Sequence, residues 1–435
     1  MPLKAVTSII EPETQCSYSI ARTDRVRFFI ELMTLLGLKQ MSCPCAPFTN
    51  KLILAVSLLI GMICFAVGAV SVSAQVAATP AWDSELKLNQ IQVIGTHNSY
   101  HLAPEPALLK LIGAASERAA QAIDYSHQPL AKQLTELGIR QMELDVYADP
   151  AGGLFSKPVG KNLLGPKSSD PRMEFDFDEA MTKPGMKILH SPGFDYATTV
   201  PTLVSALTQI KAWSDLNPNH LPILVLIELK QDVTGPAGVK PVPFDAELLD
   251  AVDQEIRSVI PTSKMLAPDD VRGNHATLRE AVLESGWPTL GQVRGKLLFA
   301  LDNEGALMEK YLETHPGLKG RVMFASVSEN HPAAAWMKIN DPVRDFDRIV
   351  AMVQKGFLVR TRADSETKQA RSNDTVQRDK AFSSGAQFIS TDYPVADSRF
   401  SDYSVRFVNG IVARLNSVSV PAAKPEWKGL DLEAR

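Results

Sequence analysis

The run Ile223-Leu224-Val225-Leu226-Ile227-Glu228-Leu229-Lys230 is built almost entirely from Ile, Leu and Val, and its only charged side chains come near its end. A strand without a polar face is typical of a parallel sheet that is covered on both faces. Parallel neighbours need a long crossover connection, which is usually a helix. The run therefore predicts an α/β fold in which a central strand ends in charged residues.

Similar runs recur on both sides of this strand and alternate with amphipathic segments. The predicted strands are Ile91–Ile94, Arg140–Val146, Met186–Leu189, Ile223–Leu229, Lys296–Leu301, Val322–Ser326, Phe357–Thr361 and Gln387–Thr391. The predicted helices are Pro106–Ile123, Pro129–Leu137, Thr199–Leu216, Asp245–Val259, Ala276–Glu284, Glu304–Thr314, Asp341–Gln354 and Asp374–Ser383. Eight strands that alternate with helices predict closure into a (β/α)₈ barrel of the TIM type.

Charge and cysteine content exclude several classes of protein. The net charge of −4 gives no overall basic field that would favour nucleic acid. The cysteines all lie within the first 64 residues, at Cys16, Cys43, Cys45 and Cys64. The predicted barrel therefore has no zinc–thiolate site, no cysteine nucleophile and no disulfide.

The N-terminal part contains a predicted export signal. The stretch Leu52–Ala74 carries no charge, follows Lys51, and ends in small residues suited to a signal peptidase. We expect cleavage after Ala74, which divides the chain into an extension with a signal peptide over residues 1–74 and a single catalytic domain over residues 75–435. The alternative is a single membrane anchor, because the stretch is long enough to span a bilayer. Either alternative places the domain outside the cytoplasm.

The second predicted strand has one acidic face. Gln141, Glu143 and Asp145 alternate with apolar residues, so these three side chains point the same way. Two carboxylates that share a buried face repel each other, and a divalent cation removes that repulsion. Oxygen ligands select Ca²⁺ or Mg²⁺ over zinc or copper.

Other polar residues follow the carboxyl ends of the predicted strands, where catalysis occurs in barrels of this kind. Taken singly, each has an ordinary structural explanation as a core histidine, a salt-bridge partner or a cap. Their convergence on four consecutive strands favours a functional site formed by His97, Asn98, Glu143, Asp145, His190 and Glu228. Arg360, Arg362, Asp302 and Asp392 fit a site role and a structural role about equally. The remaining histidines are assigned to loops or helices: His101, His127, His220, His275, His315 and His331.

At these residues the chain resembles the phosphoinositide-specific phospholipase C superfamily, and most closely its calcium-dependent bacterial branch. The matching pieces are Thr96-His97-Asn98-Ser99-Tyr100, Glu143-Leu144-Asp145, Leu189-His190-Ser191-Pro192, Ile227-Glu228-Leu229-Lys230 and Ala386-Gln387-Phe388-Ile389-Ser390-Thr391-Asp392-Tyr393. The resemblance implies a distorted (β/α)₈ barrel, a phosphoinositide lipid as substrate at a membrane surface, and a bound Ca²⁺. It also implies His97 and His190 as catalytic residues and Asn98, Glu143, Asp145 and Glu228 as calcium ligands. Lys230, Arg360 and Arg362 are the candidates for holding the phosphate, and we expect a monomer, with no protein partner inferable.

The implied reaction uses a nucleophile that belongs to the substrate. The inositol 2-hydroxyl attacks the neighbouring phosphorus and expels diacylglycerol, which leaves a cyclic phosphate. His97 is assigned as base or phosphoryl-oxygen stabiliser and His190 as acid, although the two roles could be reversed and Glu143 could share the base role.

Two other functions stay open. A glycerophosphodiester phosphodiesterase shares the barrel and the metal, but its usual first motif has Arg-Gly after the histidine, whereas Asn98 and Ser99 stand here. A non-catalytic protein that binds lipid head groups is the other alternative. The segment Asp149–Gly185 has no assignable counterpart in the family and is expected to form a lid or rim.

Overall fold

A computed structural model describes residues 80–165, 170–232, 239–420 and 425–433. These residues lie within one compact unit, Ala78–Arg435. The predicted leader Leu52–Ala74 lies outside the described residues and stays a prediction. Within the described ranges, no helix combines the length and the apolar character needed to cross a bilayer.

The described part of the chain alternates strands and helices from one end to the other. The strands are β1 Ile91–Thr96, β2 Gln141–Asp149, β3 Gly185–Ile188, β4 Ile223–Leu229, β5 Leu297–Leu301, β6 Met323–Ala325, β7 Trp336–Lys338, β8 Leu358–Arg362, β9 Phe388–Thr391 and β10 Ala413–Leu415. The helices are α1 Trp82–Glu85, α2 Pro106–Ala115, α3 Glu117–Ala122, α4 Leu130–Glu136, α5 Val159–Leu164, α6 Phe177–Thr182, α7 Leu203–Leu216, α8 Ala246–Val259, α9 Pro268–Arg272, α10 Leu278–Glu284, α11 Leu290–Val293, α12 Ala306–Glu313, α13 Phe346–Gln354, α14 Lys368–Ser372 and α15 Val376–Ser383.

Eight parallel strands form the wall of a barrel in the order β6-β5-β4-β2-β1-β9-β8-β7. The first and last strands of this order meet through a single parallel bridge between Ser326 and Trp336. The backbone N–H of Lys338 also donates to Ser326 Oγ at 3.0 Å. The barrel is therefore nearly closed, which confirms the predicted fold class.

One predicted barrel strand is wrong. The segment Met186–Leu189 was expected as the third parallel strand, but β3 runs antiparallel to the outer half of β2, with Ile188 opposite Val146. The physical reason is that β2 continues to Asp149 and offers an edge for β3 beyond the barrel wall. The missing barrel strand is β7, which follows β6 without a helix between them and so departs from the alternation on which the prediction relied.

The strands β1 and β2 approach each other closely at Gly95. Their ladder contains one residue pair, Gly95 with Gln141. A Cβ atom added to Gly95 would lie 2.0 Å from Gln141 Oε1 and 2.6 Å from Gln141 Cβ. Only glycine permits this contact, and the contact brings the residues that follow β1 beside the acidic face of β2.

The predicted helix Pro106–Ile123 is two helices in the structure. Ser116 has extended backbone angles between α2 and α3, and its hydroxyl accepts from the backbone N–H of Ala119 at 3.2 Å. Serine favours such an N-cap because its side chain satisfies a backbone donor that the helix leaves free.

The segment Asp149–Gly185 has its own small hydrophobic core. Phe155, Phe177 and Met181 pack with Tyr147 and Leu189 in a cluster separate from the main core. This cluster lies where β2 and β3 project from the barrel, so the segment is anchored next to the chain that follows β3.

The C-terminal residues return to the end of the barrel at which the strands begin. The strand β10 pairs antiparallel with β1. The buried Glu433 carboxylate accepts from Arg140 Nε at 2.6 Å and from the backbone N–H of Leu221 at 3.1 Å. The C-terminal tail, which the sequence pattern did not place, thus contributes a buried ion pair at the end of the barrel where the strands begin.

Candidate active site

The first site residues follow β1 in a tight turn. Ser99 Oγ accepts from the backbone N–H of Glu143 at 2.9 Å, which fixes the turn to β2. Asn98 has a φ of 44°, a left-handed conformation that asparagine tolerates better than most residues. Its Nδ2 donates to Tyr125 Oη at 3.1 Å, whereas its buried Oδ1 has no hydrogen-bond partner.

His97 is held between two carboxylates. Its Nδ1 lies 2.7 Å from Asp392 Oδ1, and its Nε2 lies 3.6 Å from Glu143 Oε1. Arg362 also contacts Asp392, at 3.1 Å. Burial and the nearby Arg362 lower the pKa of His97 to about 3, although Asp392 opposes the shift. Burial favours the neutral form of Asp392, but His97 and Arg362 keep the pKa of Asp392 well below its usual range. The ring is therefore neutral near pH 7, with its proton on Nδ1 facing Asp392.

His190 has a similar partner from a different part of the chain. The strand β3 returns toward the barrel mouth, and Tyr147 Oη donates to the His190 backbone carbonyl at 3.1 Å. His190 Nδ1 lies 2.7 Å from Asp195 Oδ2. The prediction that His190 ends a parallel barrel strand is wrong, yet the antiparallel hairpin delivers the residue beside the mouth.

Asp195 also contacts His101, a residue that the sequence analysis left out of the site. The buried His101 Nε2 lies 2.9 Å from Asp195 Oδ1, and its Nδ1 lies 3.0 Å from the Tyr125 backbone oxygen. Both ring nitrogens of His101 thus face oxygen acceptors. Burial raises the pKa of Asp195, but His101 and His190 together hold it well below its usual range.

His127, which the sequence analysis also assigned to a loop or helix, contacts the backbone of His97. Its Nε2 lies 2.8 Å from the backbone oxygen of His97. Burial lowers the pKa of His127 to about 4, against the effect of Asp392. A neutral ring that donates from Nε2 supports the backbone of the turn that carries His97.

Three carboxylates from neighbouring strands meet at the mouth. Single oxygens of Glu143, Glu228 and Asp302 lie within 4.8 Å of one another. Burial and the charges of the other acids raise the pKa of Glu143 to about 8, although Arg360 opposes the shift. Burial and the charge of Glu228 likewise raise the pKa of Asp145 to about 7, although the nearby Lys230 opposes the shift. The site therefore gathers carboxyl groups whose ionised forms are unfavourable without a compensating cation.

Several buried oxygens at this place have no hydrogen-bond partner. They are Asn98 Oδ1, Asp302 Oδ1 and Asp145 Oδ1, whereas Asp145 Oδ2 lies 3.3 Å from Lys230 Nζ. A buried oxygen without a partner is unfavourable by about 1–3 kcal/mol, and more when it is charged. A hard divalent cation takes six to eight such oxygens. The unpartnered oxygens and the raised carboxylate pKa values fit a Ca²⁺ site.

Two of the three basic residues predicted to hold phosphate, Lys230 and Arg360, form ion pairs with these acidic residues. Lys230 Nζ is 3.1 Å from Glu228 Oε1 and 3.3 Å from Asp145 Oδ2. The buried Arg360 pairs with Glu143 and donates to Ser390 Oγ at 3.1 Å. Both cations compensate the acidic cluster, and their role toward phosphate stays a prediction.

A family model supplies the decisive comparison. The model for phosphoinositide phospholipase C, Ca²⁺-dependent, matches residues 86–417. The chain belongs to this family. It is therefore a phosphodiesterase, and the predicted family is confirmed. Members of the family are Ca²⁺-dependent, and the acidic cluster is the candidate place for the ion in this phospholipase C.

Solved structures of bacterial phospholipases C resemble this member of the family, and two of the three that follow are calcium-dependent. An enzyme from a Pseudomonas species shares 16% identity over 77% of this chain and 97% of its own, with a TM-score of 0.46. One from Streptomyces antibioticus shares 16% identity over 71% and 95%, with a TM-score of 0.44. A phosphatidylinositol-specific enzyme from Listeria monocytogenes shares 14% over 72% and 90%, with a TM-score of 0.38. No curated protein matches the chain.

Proposed function

We propose that this phospholipase C cleaves the ester bond between glycerol and phosphate in phosphatidylinositol-type lipids, with Ca²⁺ and two histidines. The observation that carries the proposal is the pair of histidine–carboxylate contacts, His97 with Asp392 and His190 with Asp195, beside one acidic cluster. In each pair the carboxylate holds Nδ1, so Nε2 is the nitrogen available for proton transfer.

His97 is suited to accept the proton of the inositol 2-hydroxyl. It is neutral near pH 7 because burial and Arg362 lower its pKa to about 3. The Asp392 carboxylate stabilises the imidazolium that forms when Nε2 takes the proton. As the 2-hydroxyl oxygen bonds to phosphorus, the bond from phosphorus to the glycerol oxygen breaks.

His190 is suited to give a proton to that glycerol oxygen. Its side chain is partly exposed at the mouth, and Asp195 orients the ring through Nδ1. The products are then diacylglycerol and an inositol cyclic phosphate. Water can open the cyclic phosphate by the reverse proton transfers.

The calcium ligands proposed here are Asn98, Glu143, Asp145 and Glu228, as the family resemblance implies. The free Oδ1 of Asp302 adds a further candidate ligand, and Lys338 Nζ holds its other oxygen at 2.9 Å. A bound Ca²⁺ supplies charge neutralisation for the phosphoryl oxygens and lowers the pKa of an adjacent hydroxyl.

Phosphorus NMR of the purified protein with phosphatidylinositol tests the proposal. We expect a cyclic phosphate signal with Ca²⁺, its loss with EGTA, and its return when Ca²⁺ is restored. His97→Ala and His190→Ala should each lower the rate by about 10²–10⁴ with the fold retained, which circular dichroism verifies.

The same experiment separates the alternatives. Cleavage of glycerophosphoinositol but not of phosphatidylinositol would assign the chain to the glycerophosphodiester phosphodiesterases. Tight phosphoinositide binding without turnover would indicate a binding protein. Indifference to chelator, or full activity in either histidine variant, would reject the proposed mechanism.

A further inference from the structure

An apolar groove is lined in part by His190, and none of the acidic cluster Glu143, Glu228 and Asp302 lines it. Its walls are formed by α2, α3, α5 and the chain that follows β3, and its apolar lining includes Leu111, Ile123, Leu163 and Phe194. The groove has a volume of about 530 Å³. His190 and Asp195 are among its lining residues, so the groove adjoins the candidate active site.

The leucines at the rim of the groove are unusually exposed. Leu111 is 52% exposed and Leu163 is 59% exposed, although both are large aliphatic side chains. They lie on separate helices, α2 and α5, and both line the groove. Exposed apolar residues that cluster around a concavity mark a binding surface more often than scattered ones do.

The position of Leu163 depends on a close helix contact. The backbone N–H of Gly160 in α5 donates to the Gly193 carbonyl at 2.9 Å. A Cβ on Gly160 would lie 2.9 Å from Leu108 Cδ1 and 3.2 Å from the Gly193 oxygen. The segment Asp149–Gly185, which has no assignable counterpart in the family, thus packs one wall of the groove directly against the loop that carries His190.

The rest of the mouth is charged and unsuited to hydrocarbon. Glu143, Glu228, Lys230, Arg360 and Arg362 lie on the barrel side of the site. Burying hydrocarbon against these groups would desolvate their charges at a high cost. Among the residues that the structure describes, the groove therefore offers an apolar path for the chain attached to a leaving oxygen that lies within hydrogen-bond reach of His190, about 2.6–3.2 Å.

We infer that the groove binds one hydrocarbon chain of the lipid leaving group, which makes the enzyme selective for long-chain phosphodiesters. The inference rests on the proposed function. A volume of about 530 Å³ corresponds to roughly 18 groups the size of a water molecule, at ~30 Å³ each, and a methylene is of similar size. A single lipid chain therefore fits the groove, and the inference assigns one of the two chains to it.

Short-chain phosphatidylinositols below their critical micelle concentrations test the inference without a membrane. For the wild-type enzyme, kcat/KM should rise with chain length by up to about fourfold for each buried methylene. In the double variant Leu111→Ser with Leu163→Ser, the ratio of kcat/KM for a chain-bearing substrate to that for glycerophosphoinositol should fall at least about tenfold. The variant should fold, because both leucines are more than half exposed.

Leu216→Ser is the matched control. Leu216 is 83% exposed at the end of α7, before β4 begins, which is the end of the barrel away from the site. This variant should keep the wild-type ratio. A double variant with the wild-type chain-length dependence would overturn the inference. So would a dependence that exists with vesicles but not with monomers, since it would indicate insertion of the rim into a membrane.

Direct binding separates this inference from the proposed function. If the wild-type protein cleaves no inositol lipid, the proposed function fails, and calorimetry with monomeric decylphosphocholine still tests the groove. Binding by the wild type and by Leu216→Ser, weakened at least about tenfold in the double variant, supports a hydrocarbon site. Equal binding by all three proteins, or no binding, refutes it.

Discussion

Asp195 Oδ2 lies 2.7 Å from His190 Nδ1, and this contact joins two residues that a single turn separates in the chain. In the proposed mechanism, the carboxylate fixes which ring nitrogen carries the proton and leaves Nε2 for the leaving oxygen. Asp195 is held in turn by His101, which is buried and bonded to the Tyr125 backbone.

Replacing Asp195 by asparagine should lower kcat on the order of 10²–10³, because the amide cannot stabilise the charged imidazole. Steady-state kinetics on phosphatidylinositol measures this effect. Asp195→Asn added to His190→Ala should cost little more than His190→Ala alone, since the two residues act as one unit.

Asp176→Asn is a suitable control for this substitution. Asp176 is an exposed N-cap of α6, and asparagine caps a helix equally well. Additive losses in the double variant of Asp195 and His190 would show that Asp195 acts elsewhere.

Asp302→Asn should weaken Ca²⁺ binding by on the order of tenfold or more, because it removes one charged oxygen from the cluster. Isothermal titration calorimetry of the variant measures the affinity without reference to turnover. Glu304→Gln, at an exposed position in the same loop, should bind Ca²⁺ as the wild type does. Equal affinities for Asp302→Asn and the wild type would remove Asp302 from the ligand set.

The rise in Tm on adding Ca²⁺ should grow with pH. Without metal, the pKa values of about 8 for Glu143 and about 7 for Asp145 lie above the ordinary values of 4.5 and 3.8. The folded protein then holds more protons than the unfolded chain. The free energy of unfolding therefore falls as pH rises toward 8 and these groups ionise. Ca²⁺ replaces those protons and cancels the loss.

Thermal unfolding in EGTA and in Ca²⁺, from about pH 5 to about pH 9, measures the difference. Other titrating groups contribute to both curves and largely cancel. Glu143→Gln should flatten the dependence. A Ca²⁺ effect of the same size at both ends of the range would contradict the assignment of these carboxylates to the metal.

Gly95→Ala should destabilise the fold by about 2–3 kcal/mol or prevent folding, because the new Cβ overlaps the Gln141 side chain. Denaturant unfolding gives the change in free energy. Gly113→Ala is the matched control, since its Cβ would meet only Ala120 Cβ, at 3.5 Å. Alanine in that helix should be neutral or stabilising by up to about 1 kcal/mol. A neutral Gly95→Ala would show that β1 can move away from β2.

The sequence pattern predicts the barrel well because most of its strands are long apolar runs. Seven of the eight barrel strands overlap predicted ones, whereas β7 follows β6 without the helix that the prediction expected between strands. The direction of β3 was not predictable from periodicity, since an apolar run looks alike in parallel and antiparallel sheets. What decides it is the extra length of β2, which is a tertiary feature.

Some residues of the candidate site were likewise predictable from the sequence and others were not. Glu143 and Asp145 were predictable because strand alternation places them on one face, and His97 and Asn98 follow directly from β1. Asp195 and His101 were not, because they meet across 94 residues of chain and neither lies at a barrel strand end. Only the folded chain shows that His190 depends on a second, buried histidine.

The ion pair between Arg140 and Glu433 has a consequence for how the molecule can be made and handled. Arg140 immediately precedes β2, and its carboxylate partner Glu433 lies 293 residues further along the chain. A guanidinium destined for the interior lacks its counter-charge until these distant segments meet, so the barrel cannot reach its final packing before the segment around Glu433 docks. Deletions that reach Glu433 should yield aggregation-prone protein.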